Sequence, residues 1–142
     1  MSDQNKTVLI TGASAGIGKS FAEVFFKNGF NLVLTARRTD RLEAIKANLL
    51  QTSKNQEIHI ISADLSNEVA PREIFNFCKE QNIHIDALVN NAGYGRWGRF
   101  GEFQRDDYAA MIQLNITSLT DLCHLFMPDM VDKGEGGVIN IG

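Results

Sequence analysis

The feature that most restricts the fold of this chain is an alternation. Short apolar runs take turns with longer stretches of helical periodicity, from one end to the other. The runs contain Val8-Leu9-Ile10, Leu32-Val33-Leu34, Ile58 with Ile60 and Ile61, Ala87-Leu88-Val89, and Val138-Ile139-Asn140-Ile141. Consecutive apolar residues, rather than every second one, mark strands buried on both faces. These strands are predicted at 6–11, 31–36, 58–63, 85–91 and from 138 onward. Between the first two, Ile17, Phe21, Val24 and Phe25 recur at helical spacing and mark one apolar face, which Asn28-Gly29 closes. Leu42, Ile45 and Leu49 mark a second helix. Ser66 is placed to cap a third, running through Ile74, Phe77 and Cys78. A long helical region is predicted at 106–130, with Leu119, Leu122, Cys123, Phe126 and Met130 on one face and Pro128 ending or kinking it. Strand–helix–strand repetition joins parallel strands through crossovers that cover both faces of one sheet. The expected class is therefore α/β, with a doubly wound parallel sheet.

The chain has 142 residues, enough for one domain, with 44% hydrophobic and 22% charged residues to build a core and a surface. A formal net charge of −3 argues against nucleic acid or an acidic membrane as the main partner. Cys78 and Cys123 form no CxxC pair and sit in apolar helical patterns, so they read as buried free thiols. His59, His84 and His124 show no metal-ligand spacing, and no metal site is expected. The N-terminal stretch 1–6 is polar and lacks the apolar segment of a secretion signal. No apolar run approaches the ~18 residues of a membrane span, and the expected location is the cytoplasm.

The first strand ends in a glycine turn, Thr11-Gly12-Ala13-Ser14-Ala15-Gly16-Ile17-Gly18. Its spacing is G-x3-G-x-G rather than G-x-G-x-x-G, but the physical roles carry over. Gly12 permits a tight turn, Gly16 lets a pyrophosphate approach the backbone, and Gly18 lets helix and strand pack closely. The phosphates then meet free N–H groups at the positive end of a helix, with the Ser14 hydroxyl nearby. Gly18-Lys19-Ser20 reads GKS, but its register relative to Gly12 is wrong for a P-loop. The chain thus reads as a single nucleotide-binding domain of Rossmann type spanning 1–142.

The residue after the second strand selects the nucleotide. A carboxylate there binds a ribose 2′-hydroxyl, and an arginine binds a 2′-phosphate. This strand ends Leu34-Thr35-Ala36-Arg37-Arg38, with no carboxylate. Arg37 favours NADP(H) over NAD(H). Arg38 fits the same role but, taken alone, reads rather more as a solvated loop residue.

The glycine turn resembles the TGxxxGxG motif of the short-chain dehydrogenases/reductases, and four further matches follow in that family's order. Asp64-Leu65 resembles the adenine-contacting pair. Asn90-Asn91-Ala92-Gly93 is similar to the NNAG element. Asn115, in Gln113-Leu114-Asn115-Ile116, stands where the family keeps the asparagine of its catalytic tetrad. Gly137-Val138-Ile139-Asn140-Ile141-Gly142 resembles the strand leading to the catalytic serine. The resemblance implies an NADP(H)-dependent oxidoreductase that moves a hydride between nicotinamide and a small carbonyl/alcohol substrate. It implies cofactor contacts from Gly12, Ser14, Ala15, Gly16, Ile17 and Gly18, from Arg37 and Arg38, from Asp64 and Leu65, and from Asn91, Ala92 and Gly93. Asn115 is the implied catalytic position, and the full-length form is implied to be a homo-oligomer.

The family's serine would follow Gly142, and its Tyr-x3-Lys pair has no counterpart here. Tyr94 and Tyr108 are followed four residues on by Gly98 and Ile112. The chain is therefore expected to be truncated after the fifth strand relative to the family, and inactive alone. The alternative is a non-catalytic nucleotide-binding or dimerising module. Arg96, Trp97 and Phe100, in the loop after the NNAG element, could line an aromatic pocket or simply pack the loop.

Overall fold

The computed structural model describes residues 5–142. The expectation for the N-terminal stretch lies largely outside them, on residues 1–4. The chain runs β1 (Thr7–Thr11), α1 (Gly16–Lys27), β2 (Asn31–Ala36), α2 (Thr39–Leu50), β3 (Ile58–Ser62), α3 (Ala70–Glu80) and β4 (Ala87–Asn90), followed by a short 3-10 turn (Phe100–Glu102). It continues through α4 (Arg105–Ile112), a π turn (Gln113–Thr117), α5 (Ser118–Lys133) and β5 (Gly137–Asn140). All strand pairs are parallel, in the order β3-β2-β1-β4-β5. The chain builds outward from β1 to β3, then returns to the other side of β1 to place β4. That reversal leaves a crevice above the carboxyl ends of β1 and β4, where ligands bind in such sheets.

Each face of the sheet carries its own apolar layer. Val8, Ile10, Leu32 and Leu34 pack under Ala22 and Phe26 of α1 and Leu42 and Ile45 of α2. Leu9, Val33 and Leu88 pack against Ile74 and Cys78 of α3 and Leu122, Phe126 and Met130 of α5. Leu9, Ile10, Leu32, Leu34, Leu88 and Leu122 are fully buried. At about 1.5–3 kcal/mol for each such side chain, these two layers dominate the stability. Burial also pushes the Cys78 thiol up to about 11, so it is an inert packing residue at neutral pH.

Four expectations need correction. The buried stripe of α1 is Gly18, Ala22 and Phe26; of the expected face, Phe21 and Phe25 pack partly buried against the same core, while Ile17 and Val24 are 59% and 58% exposed. Close approach of the helix to the sheet leaves room only for small residues at its first turns, and the large ones are displaced to its flanks. Ser66 does not cap α3, which begins at Ala70; its hydroxyl turns back to Asp64 instead. Of the two outcomes expected at Pro128, ending or kinking the helix, the first does not occur: α5 runs on to Lys133. The proline lies on the exposed side with His124, whose carbonyl loses its helical donor where water can replace it. The long helical region begins at Arg105, ends at Lys133 and is interrupted by the π turn. The end of α1 is as expected: Gly29 (φ 89°) follows the helix in a left-handed conformation. Its N–H donates to the Phe26 carbonyl at 3.0 Å and the Phe30 N–H to that of Phe25 at 3.1 Å. The Phe25 and Phe30 rings meet edge to face, 4.9 Å apart, over this closure.

Candidate nucleotide site

The crevice is built on hydrogen bonds between β1 and β4. The buried Thr11 hydroxyl accepts from the backbone N–H groups of Asn91 (3.0 Å) and Ala92 (2.9 Å). The Asn91 side-chain amide donates to the carbonyls of Thr11 (3.3 Å) and Gly12 (3.1 Å). One strand end and its glycine turn are thereby tied to the other. Asn90, beside them, donates to the Asn140 side chain at 2.9 Å and links β4 to β5.

The glycines of the turn serve different needs. A Cβ on Gly18 would lie 2.2 Å from the Gly12 carbonyl oxygen and 2.5 Å from Asn91 Nδ2. A Cβ on Gly12 (φ +62°) would lie 2.9 Å from the Ala92 Cα. Both positions are closed to any side chain. Gly16 (φ +56°) has no atom within 4 Å of where its Cβ would be. Its backbone faces open space, as a ligand cradle requires. Ala15, at the start of α1, offers no side-chain cap, and the first turn carries no acidic residue. The first N–H groups of this helix are therefore available to an anion.

A cavity of about 450 Å³ opens beside this turn. Gly12 and Ser14 line it from β1, Arg37 and Arg38 from β2, Asp64 and Leu65 from β3, and Ala92 and Gly93 from β4. Of the other positions singled out from the sequence, Ala15, Gly16 and Ile17 lie exposed on the turn, and Gly18 and Asn91 stand behind it. None of these five lines the cavity. Asp64 Oδ1 accepts from the Ser66 hydroxyl at 2.6 Å and the Ser66 N–H at 3.0 Å. The Ser66 hydroxyl holds the Asp64 carboxyl below the usual carboxylate range; partial burial opposes it, and the Ser66 N–H and the charge of Arg37 add to it.

Asn115 sits inside the π turn rather than in regular helix. Its side-chain amide donates to the Tyr94 carbonyl at 2.8 Å and the Met111 carbonyl at 2.9 Å. A Cβ on Gly93 would lie 2.5 Å from Asn115 Oδ1, so Gly93 is small because Asn115 is there. Among the described residues, Asn115 fastens the end of the NNAG element to the long helix. A π turn of this kind commonly marks a functional site.

Several participants have no motif in the sequence. The buried Ser118 hydroxyl donates to the Leu65 carbonyl at 2.6 Å and accepts from the Gln113 amide at 3.1 Å, which fixes the loop after β3 to α5. Thr35, Ser66, Tyr94, Arg96 and Leu114 also line the cavity. Among the described residues, the buried Thr35 hydroxyl has no hydrogen-bond partner. For Thr35 and Ser118 the only sequence signal is a polar residue at an otherwise apolar strand or helix position. The loop after Gly93 is held by side chains: the Phe100 ring stacks on Tyr108 at 4.7 Å, and the Tyr108 hydroxyl donates to the Phe100 carbonyl. Trp97 is 99% exposed and packs no pocket in this chain.

A glycine turn at the strand-order reversal of a doubly wound parallel sheet is the arrangement of a Rossmann-type fold. The family model described as short chain dehydrogenase matches residues 6–142, and the chain belongs to that family. It is 34% identical to a sulfoacetaldehyde reductase of Chromohalobacter salexigens, over 95% of this chain and 53% of the relative. It is 34% identical to an NADP-dependent 3-hydroxy acid dehydrogenase of Salmonella typhimurium, over 95% of this chain and 53% of the relative. A short-chain dehydrogenase from Sphingobium yanoikuyae, solved in complex with NADPH, superposes with a TM-score of 0.88 at 38% identity, covering 96% of this chain and 53% of that one. The chain spans about half the length of the curated relatives it matches. Among the described residues, no helix is long and apolar enough to cross a membrane.

Proposed function

We propose that the cavity is an NADP(H) site and that this chain is the cofactor-binding portion of an oxidoreductase acting on a small carbonyl/alcohol pair. The observation that carries the reading is that Arg37 and Arg38 line one cavity with Gly12 and Ser14 of the glycine turn. In this reading the N–H groups at the start of α1 hold the pyrophosphate, and Arg37 meets the 2′-phosphate. Asp64 has one oxygen committed to Ser66, and its other oxygen accepts from the adenine amine. When bound, the nicotinamide supplies the hydride chemistry. The residues of this chain position and hold it; Asn115 keeps Gly93 and Tyr94 in place beside it. The Tyr108 hydroxyl is committed to Phe100, and neither tyrosine has a lysine four residues on. We accordingly expect binding without turnover from these 142 residues. Exposed Ile116, Met127 and Val131 recur at i, i+11 and i+15 along one side of the long helix, which supports a homo-oligomer in the full-length form.

Fluorescence titration with NADPH and NADH tests the cofactor assignment. Arg37→Ala is expected to weaken NADPH about tenfold or more, the worth of a charge-assisted phosphate contact, and to leave NADH nearly unchanged. Equal losses for both cofactors would remove Arg37 from the 2′-phosphate.

A further inference from the structure

The cavity holds one cation that the glycine turn and the β2 tip do not explain. Arg96 lies three residues beyond Gly93 and lines the same cavity as Gly12, Ser14 and Arg37. Its guanidinium is 5.6 Å from the centroid of the Phe103 ring, and its Nη2 lies 3.4 Å from Asp107 Oδ1. Phe103 in turn meets Tyr108 edge to face at 6.0 Å. The arginine is thus braced by a ring and a carboxylate, which orients it at little entropic cost on binding. A guanidinium has five N–H donors. Among the described residues, Asp107 is the one carboxylate paired with this one.

Strand order decides which phosphate Arg96 can meet. β1 separates β2 from β4, so the β2 tip with Arg37 lies two strand spacings, roughly 10 Å, from the carboxyl end of β4. Arg96 follows β4 in the chain, on the far side of β1 from the strand that carries Arg37, and lines the cavity that Gly12 and Ser14 also line. We propose that Arg96 is a further ligand of the cofactor's pyrophosphate, closing over it from the side opposite the α1 N-terminus. Asp107 holds the guanidinium in the absence of ligand and competes with the phosphates for it. The assignment rests on the NADP(H) reading of the cavity and adds a residue to it.

The test is fluorescence titration of the 142-residue protein with NADPH and with NADH, the fold of each variant being checked by thermal melting. Arg96→Gln is expected to weaken both cofactors by the same factor, about fivefold for a half-exposed charged contact. Arg96→Lys should recover part of the loss. Asp107→Asn keeps an oxygen for the Gln104 N–H that the carboxylate now accepts, but releases the guanidinium. It should bind both cofactors at least as tightly as the wild type. Unchanged binding by a folded Arg96→Gln variant overturns the assignment and leaves the NADP(H) reading intact. Weakening of NADPH alone also overturns it, because that places Arg96 on the 2′-phosphate. If the wild type takes neither cofactor, the NADP(H) reading fails and the assignment fails with it.

Discussion

Two connections leave the carboxyl edge of the sheet side by side, and they are built by opposite means. The turn from Gly12 to Gly18 takes its shape from missing side chains: backbone and the Asn91 amide come so close that a Cβ at either end would collide. The connection from Tyr94 to Gln104 takes its shape from side chains. Phe100, Phe103 and Tyr108 form a ring cluster, and Arg96 and Asp107 hold its edge. The first should be rigid and intolerant, with its consequences spread through β1, α1 and β4. The second should tolerate single changes one contact at a time. A crevice walled by one of each has a fixed floor and an adjustable side.

The largest test of that contrast is Gly18→Ala. The added methyl meets the Gly12 carbonyl, which cannot move without disturbing β1 and Asn91, and we expect a loss of about 3 kcal/mol in urea unfolding. A loss below ~1 kcal/mol would mean the turn adapts as readily as the loop does. Tyr108→Phe removes the hydroxyl donated to Phe100 but keeps the stacked ring. The expected loss is about 0.5–1 kcal/mol, with faster amide exchange confined to 94–104. A global loss matching that of Gly18→Ala would erase the distinction.

The smallest effect concerns pH. The Ser66 hydroxyl lowers the Asp64 pKa in the folded state, so this contact stabilises at pH values above the unfolded carboxylate range. The contribution disappears as pH falls through the depressed folded value. Ser66→Ala should therefore be less stable than the wild type at pH 7 by about 0.5 kcal/mol, after screening of this exposed carboxylate. The gap should close on acidification. A gap that widens at low pH would show that the contact does not favour the ionised form.

The same contrast explains what could be read in the sequence. The sheet, its parallel sense and the glycine turn were legible because they depend on apolar runs and on glycine spacing. The NNAG element and Asn115 were legible as positions, but not their contacts with each other: Gly93 lies against Asn115, 22 positions further along the chain. The apolar face of α1 was misread because periodicity weighs large residues, while the helix buries Gly18 and Ala22. Ser118 and the Thr35 hydroxyl were not legible as site residues, and Arg96 was legible only as one residue of a loop that could line a pocket or simply pack. A serine in a helix, an arginine in a loop and a threonine in a strand are ordinary residues until the fold places them on one cavity.

The central claim is that this crevice distinguishes a nucleotide by its 2′-phosphate. Parallel titration of the wild-type protein with NADPH and NADH measures that directly. Saturable binding of both is expected, with NADPH tighter by about tenfold or more. Equal affinity for the two, or no binding of either, would contradict it.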